Sequence, residues 1–192
     1  MGYRKIFLGL VILLFTWASV VMAEDYNLQY FLAKASSEKG ELSKSESKEL
    51  INRINEVVEK ARKIHTKLTH AIQTGEVEIL YQDGRFWMSK LEEDQRSIEE
   101  GIQQIKLLRE RPTHLMASIR LYKSLKDLSS NFNAYNNMPL FSGLVGDLAP
   151  EMELWVDPVF YKLHLLPLAK LKDVEKAPPQ REKKPIPKTK KP

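Results

Sequence analysis

The chain has 192 residues, of which 30 are Lys or Arg and 25 are Asp or Glu, and it contains no cysteine. The missing cysteine excludes disulfides, thiolate catalysis, cysteine-ligated zinc and iron–sulfur clusters. The basic excess is concentrated at the end of the chain, where eight Lys/Arg and three Asp/Glu lie between Lys172 and Pro192. Residues 24–171, which precede this tail, have 20 Lys/Arg against 22 Asp/Glu and are slightly acidic, so no nucleic-acid partner is expected.

Residues 1–23 have the three parts of a secretory signal peptide. Arg4 and Lys5 come first, a nearly continuous apolar run extends from Ile6 to Val21, and Val21-Met22-Ala23 fits a cleavage site. The apolar run is ~16 residues long, whereas a membrane-spanning helix needs ~20. We therefore expect cleavage rather than the alternative, an uncleaved anchor. The expected product is a periplasmic or secreted protein with no transmembrane segment after cleavage.

Residues 24–44 are predicted to form an N-terminal arm or short helix, and a long amphipathic helix follows from about Ser45. Aliphatic side chains recur between Leu50 and Ala71 at alternating steps of four and three, which places them on one face of a helix. Ser43 and Glu46 fit a capping box at the start of this helix, and Gly75 fits its C-terminal stop. Because such a stripe is unstable unless another element covers it, residues 45–175 are predicted to form a helical bundle around this helix.

Residues 77–88 differ from the rest of the body because two β-prone runs flank Asp83-Gly84. This dipeptide suits the two-residue type I′ turn of a hairpin. The segment therefore predicts a small β-hairpin in which Tyr81 faces Phe86. The alternative is a helical connection that is broken at Asp83-Gly84.

A second helix is predicted from about Ser89 to Arg111, and a third runs to about Tyr135. The second has a coiled-coil-like seam with one polar member, comprising Met88, Leu91, Gln95, Ile98, Ile102 and Ile105. Residues 138–150 are apolar but contain Gly and Pro, which predicts a loop that covers the end of the bundle or contacts a partner. Pro158 and Pro167 favour two short segments over one continuous helix at the end of the body.

The fold class predicted from these elements is mostly α, a bundle of three to four helices. The last unit, residues 176–192, is predicted to be a disordered basic tail rich in Lys and Pro.

Residues with catalytic potential occur without a recognisable catalytic pattern. His65 and His70 are five residues apart, which places them on different faces of a helix and does not match zinc-binding spacing. Glu92-Glu93-Asp94 is typical of a solvated helix face. No nucleophile elbow or phosphate-binding glycine loop is present. We therefore assign no catalytic, cofactor-binding or metal-binding residue.

The function expected from these features is non-enzymatic binding of another macromolecule in the cell envelope, either a protein or an anionic component. Homo-oligomerisation through the long helix is a variant of this hypothesis. The alternatives are a carrier or sensor of a small apolar ligand held between helices, and an enzyme of unrecognised type. The candidate interaction residues are Phe86, Trp87, Leu140, Phe141, Trp155, Lys183, Lys184, Lys188, Lys190 and Lys191.

Overall fold

The computed structural model describes residues 26–37, 40–76 and 81–176. The predicted signal peptide and the tail from Ala177 onward lie outside these residues. The described part is almost entirely helical, which confirms the mostly α prediction. Its elements are α1 (Leu28–Ser36), α2 (Lys44–Thr74), α3 (Tyr81–Glu110), α4 (Leu115–Asn136), α5 (Pro139–Val145), α6 (Leu148–Leu154), a π-helical segment (Trp155–Leu165) and α7 (Leu166–Lys176).

The long helix α2 begins and ends at the residues that its sequence indicates. The hydroxyl of Ser43 accepts a hydrogen bond from the Glu46 N–H at 3.3 Å, and the Glu46 carboxylate accepts one from the Ser43 N–H at 2.6 Å. These two bonds confirm the predicted capping box. At the other end, Gly75 has a φ of 73°, a left-handed conformation that favours glycine.

Helices α2, α3 and α4 run antiparallel to one another in chain order. Between α2 and α3, the imidazole Nε2 of His65 is 2.9 Å from the Leu91 carbonyl oxygen, while Arg109 donates to Asn52 at 3.3 Å. Residue numbers therefore rise along α2 as they fall along α3. A ring contact of 5.5 Å between Trp87 of α3 and Tyr135 of α4 fits the same antiparallel arrangement for the next pair.

The fourth side of the bundle is the continuous helical run α6–π–α7. Its π segment lies antiparallel to α4, because Tyr122 donates to Asp157 at 2.7 Å and the Ser118 hydroxyl is 3.1 Å from His164 Nε2. Lys60 of α2 forms an ion pair with Glu151 of α6 at 3.0 Å and closes the ring of four. The bundle prediction is confirmed, and α2 shares the central position with α4, since both contact α3, α5, α6 and the π segment.

The predicted β-hairpin is wrong over the described residues 81–88, which form the first two turns of α3. Asp83-Gly84 lies within that helix and does not form a turn. The physical reason is tertiary: Trp87 is buried one helical turn before Leu91, against Tyr135 and Phe141. This burial outweighs a local preference for a two-residue turn. Residues 77–80 of the predicted hairpin lie outside the described residues.

Two other segments are more helical than their sequence predicts. Residues 138–150, expected as a loop, contain α5 and the start of α6, and they bury Phe141, Val145 and Leu148. Pro158 lies inside a π-helical stretch, in which the Leu166 N–H donates to the carbonyl five residues earlier, at Tyr161. The wider π turn reduces the clash between a proline ring and the carbonyl of the preceding turn. Pro167 is the second residue of α7 and directly follows the π segment, so this proline too lies within the continuous helical run.

The short helix α1 packs across the N-terminal part of α2 and the π segment. The rings of Phe31 and Trp155 are 5.8 Å apart, and both side chains are buried. Glu46 accepts hydrogen bonds from Tyr30 and Lys34 of α1 in addition to the bond that caps α2. Burial alone would raise the pKa of Glu46, but the bonds from Lys34, Ser43 and Tyr30 lower it to about 2.

Candidate functional site

Exposed and buried aromatic and aliphatic side chains alternate at the end of the bundle where α3 begins and α4 ends. Phe86 is 53 % exposed and Leu140 is 49 % exposed, while their chain neighbours Trp87 and Phe141 are buried. The rings of Trp87 and Phe141 are 5.1 Å apart, so the segments that carry the two exposed side chains are in direct contact. We call this region the aromatic end and define it as Phe86, Trp87, Tyr135, Leu140 and Phe141.

The buried members of the aromatic end form a packed cluster. The Tyr135 ring lies 5.5 Å from Trp87 and 5.8 Å from Phe141, and the Phe86 ring meets Trp87 edge-on at 4.9 Å. Tilted and edge-to-face contacts at these distances contribute about 0.5–1.5 kcal/mol each beyond the burial of area. The exposed side chains Phe86 and Leu140 therefore project from a base that is fixed by packing.

A buried carboxylate lies directly beneath this cluster. Asp94 of α3 is fully buried, and its two oxygens accept hydrogen bonds from the Asn131 amide at 2.7 Å and from the Tyr135 hydroxyl at 2.6 Å. Lys90 donates to the Asn131 side-chain oxygen at 2.9 Å. Asn131 thus links the Lys90 ammonium group to the Asp94 carboxylate, and Asp94 in turn binds the Tyr135 hydroxyl.

The environment of this network raises the pKa of two of its members, Asp94 and Tyr135. Burial raises the pKa of Asp94, although the hydrogen bonds from Tyr135 and Asn131 and the nearby His65 and Lys90 oppose the shift. Burial and the proximity of the Asp94 carboxylate raise the pKa of Tyr135. The Asp94 carboxylate of α3 accepts both of its hydrogen bonds from side chains of α4, Asn131 and Tyr135. These two bonds therefore fix the rotation of α3 relative to α4.

Sequence reasoning assigned Asp94 to a solvated face, and this assignment is wrong. It listed Gln95 in the predicted seam, at a position expected to be partly exposed. Gln95 is exposed. The buried seam of α3 differs from the predicted seam at three positions, where residues 87, 94 and 101 are buried in place of residues 88, 95 and 102. The seam comprises Trp87, Leu91, Asp94, Ile98, Gly101, Ile105 and Leu108. The prediction had the correct alternation of four-residue and three-residue steps. It chose Gln95 and Ile102, however, where the structure buries Asp94 and Gly101. Because the predicted set has the same spacing, the signal for the correct phase is that the observed set has an apolar residue at each end, Trp87 and Leu108. The predicted set would continue to Gly84 and Arg109.

A second buried polar pair lies in the other half of the bundle. The Nε2 atom of His164 is 3.1 Å from the Ser118 hydroxyl, and its ring stacks on Phe160 at 5.0 Å. Burial lowers the pKa of His164 to about 4, so the imidazole is neutral at pH 7. The Ser118 hydroxyl is also 3.3 Å from the His114 carbonyl oxygen. Both members of the pair are buried, so the pair is a core contact between α4 and the π segment.

The remaining predicted interaction residues are Trp155 and five lysines of the tail. Trp155 is buried against Phe31 and accordingly belongs to the core. Five of them lie in the tail, outside the described residues: Lys183, Lys184, Lys188, Lys190 and Lys191. Among the surface positions predicted from sequence, Phe86 and Leu140 are therefore the pair that the described fold exposes together.

Within the described ranges, His, Asp and Glu side chains form no group of three that is arranged to hold a metal ion. In the same part of the chain, no helix is both long enough and apolar enough to cross a bilayer. Comparison of the whole chain with known protein families, with curated proteins and with solved structures found no match.

Proposed function

We propose that this protein is a non-enzymatic envelope protein that binds a partner protein through the aromatic end. The observation that carries the proposal is the exposure of Phe86 and Leu140 on a base of buried, mutually contacting rings. Aromatic and aliphatic anchors held in one conformation lose little entropy on binding, so they favour complex formation.

The chemistry of the aromatic end favours a partner with an apolar pocket. Burying a Phe or Leu side chain contributes about 1.5–3 kcal/mol, and roughly half of that remains available for side chains that are half exposed. Together the two anchors supply about 2 kcal/mol, or roughly thirtyfold in affinity. Polar contacts around the anchors would provide the rest of the binding energy and the specificity.

The test uses the absence of cysteine from the chain, since one introduced cysteine carries a unique photocrosslinker. The variants F86C and L140C are labelled in the chain from Glu24 to Pro192 and added to the envelope fraction of the source cells. The exposed position Gln103 of α3, more than four helical turns from Trp87, serves as the control as Q103C. We expect both aromatic-end positions to form an adduct of one and the same size, which is absent at the control position.

The adduct is then identified, and the affinity of the isolated partner is measured for F86S/L140S. A loss of roughly thirtyfold supports the proposal. Adducts of equal size and yield at all three positions, or unchanged affinity in the double variant, would show that the aromatic end does not bind. A monomer without any adduct would instead favour the carrier of a small apolar ligand.

A further inference from the structure

The half of the bundle opposite the aromatic end has a surface of different chemistry. On α4, Met116 is 54 % exposed and Ile119 is 42 % exposed, one turn apart on the same side. Tyr122 continues this row by a further turn, and its ring lies 5.5 Å from the ring of the exposed Tyr161 on the π segment. These four side chains form a strip of apolar surface across the junction of the two helices.

Cations border this strip on both helices. Arg120 and Lys123 follow Ile119 on the exposed side of α4, and Lys162 follows Tyr161. Within the described ranges, Arg120 and Lys162 make no ion pair with another residue, while Lys123 pairs with Asp127 at 2.7 Å. We call Met116, Ile119, Arg120, Lys123, Tyr161 and Lys162 the basic–apolar face.

The end of the described chain emerges at the same end of the bundle. The contact between Ser118 and His164 places His164 about one turn from the start of α4, so most of α7 extends past that start. Lys170 and Leu171 of α7 are exposed, Leu171 by 66 %. The sequence after Lys176 then adds six Lys/Arg and one Glu. Within the described residues, Lys170 and Leu171 therefore add one cation and one exposed apolar side chain at this end of the bundle.

From this juxtaposition we infer that the basic–apolar face docks on the surface of an anionic phospholipid bilayer. Apolar side chains that project a short distance from a helix insert at the boundary between headgroups and acyl chains, and neighbouring Lys and Arg contact the phosphates. Each cation near an anionic surface contributes about 1 kcal/mol, which is about fivefold in partitioning. An acidic protein would use the cations equally well, but it would not require exposed apolar side chains on a convex helix face.

This inference is independent of the proposed partner-binding function, because the two surfaces lie at opposite ends of the bundle. The two surfaces are separated along the bundle by roughly the length of α4. That length is about 33 Å for 22 residues at 1.5 Å per residue.

The direct test is a fluorescent label on a single introduced cysteine in the chain from Glu24 to Pro192. All contacts described above lie between Tyr26 and Lys176, so this form retains them. An environment-sensitive dye is attached to M116C, and L140C carries the same dye as the matched control. Vesicles of phosphatidylcholine alone are compared with vesicles of equal parts phosphatidylcholine and phosphatidylglycerol. We expect a blue shift at position 116 with the anionic vesicles and an unchanged spectrum at position 140.

Unlabelled variants separate this face from the tail by co-sedimentation with the same anionic vesicles. We expect M116S/I119S and R120Q/K162Q each to lower the partition coefficient by roughly thirtyfold. F86S/L140S should leave partitioning unchanged. Each change is at the surface, and unchanged thermal unfolding verifies the fold.

Absence of binding to anionic vesicles would overturn the inference, and so would equal binding to phosphatidylcholine alone. Binding that responds only to Lys→Gln changes at positions 183, 184, 188, 190 and 191 would assign it to the tail and remove the role of the face. If F86S/L140S loses partner capture but binds vesicles normally, the result supports partner binding at the aromatic end and leaves bilayer docking to the basic–apolar face.

Discussion

The buried imidazole of His164 predicts that acid destabilises the fold well above the pH at which carboxylates titrate. Burial lowers the pKa of His164 from 6.5 to about 4, so between these values the unfolded chain binds a proton that the folded chain excludes. Stability is therefore fully present above pH 6.5 and decreases as the pH falls towards 4. A shift of this size corresponds to about 3 kcal/mol, of which about 2.5 kcal/mol is lost by pH 4.5.

The assay is urea unfolding followed by circular dichroism at several values between pH 7 and pH 4.5. With a urea dependence of about 2 kcal/mol per molar, the midpoint should fall by about 1 M. The control is H164Q, whose amide reaches Ser118 but does not titrate. Other groups titrate equally in both proteins, so the difference between them isolates His164. Midpoints that move in parallel in the two proteins would refute the reasoning, because His164 would then gain its proton without unfolding.

Three further perturbations test other parts of the bundle. D94A removes the acceptor for Asn131 and Tyr135 and should cost about 2–4 kcal/mol in unfolding free energy, whereas D94N should retain stability at pH 7. The pKa of Asp94 is raised in the fold, so the wild-type protein should lose stability relative to D94N as the pH rises above 3.8. Equal changes in stability in wild type and D94N would contradict the network. G101A should raise the unfolding free energy by about 1 kcal/mol, since its methyl would meet neighbours on α2 and α4 at 3.8 Å or more; a lower melting temperature would show that the helices do not accommodate it. Relative to E46Q, wild type should lose stability as the pH falls from 4.5 towards 2, because the bonds to Glu46 lower its pKa; pH-independent differences in melting temperature would argue against those bonds.

Local chemistry was sufficient to predict the ends and the buried face of α2. The capping box at Ser43, the stop at Gly75 and the stripe from Leu50 to Ala71 depend on neighbours in the sequence and on helical periodicity. Each of these features can be read within one element, so the class of fold follows from them.

The errors concern residues whose state depends on distant partners. Asp94 is buried because Asn131 and Tyr135, about forty residues later, satisfy its oxygens. Trp87 keeps residues 81–88 helical through its contacts with α4 and α5. Neither partner is visible from the local pattern, which favours a turn at Asp83-Gly84 and a solvated acidic run.

Sequence reasoning listed Phe86, Trp87, Leu140 and Phe141 together as candidate interaction residues, and of these the fold exposes Phe86 and Leu140. It could not distinguish them from Trp87 and Phe141, because adjacent aromatic and aliphatic residues have the same composition whichever of them faces inward. Only the rotation of α3 and α5 against their neighbours decides this, and that rotation is set by the packing of the whole bundle.

The contact between Phe31 and Trp155 has a consequence for how the chain folds. Helices α2, α3, α4 and the π segment each pack on the element that precedes or follows them, and such short-range contacts form rapidly. The contact between α1 and the π segment instead joins residues more than a hundred positions apart. During synthesis, the contact of α1 with the π segment must therefore wait until the last helical run has emerged. Its docking completes the fold, and a chain cut short before Trp155 leaves the Phe31 surface open to aggregation.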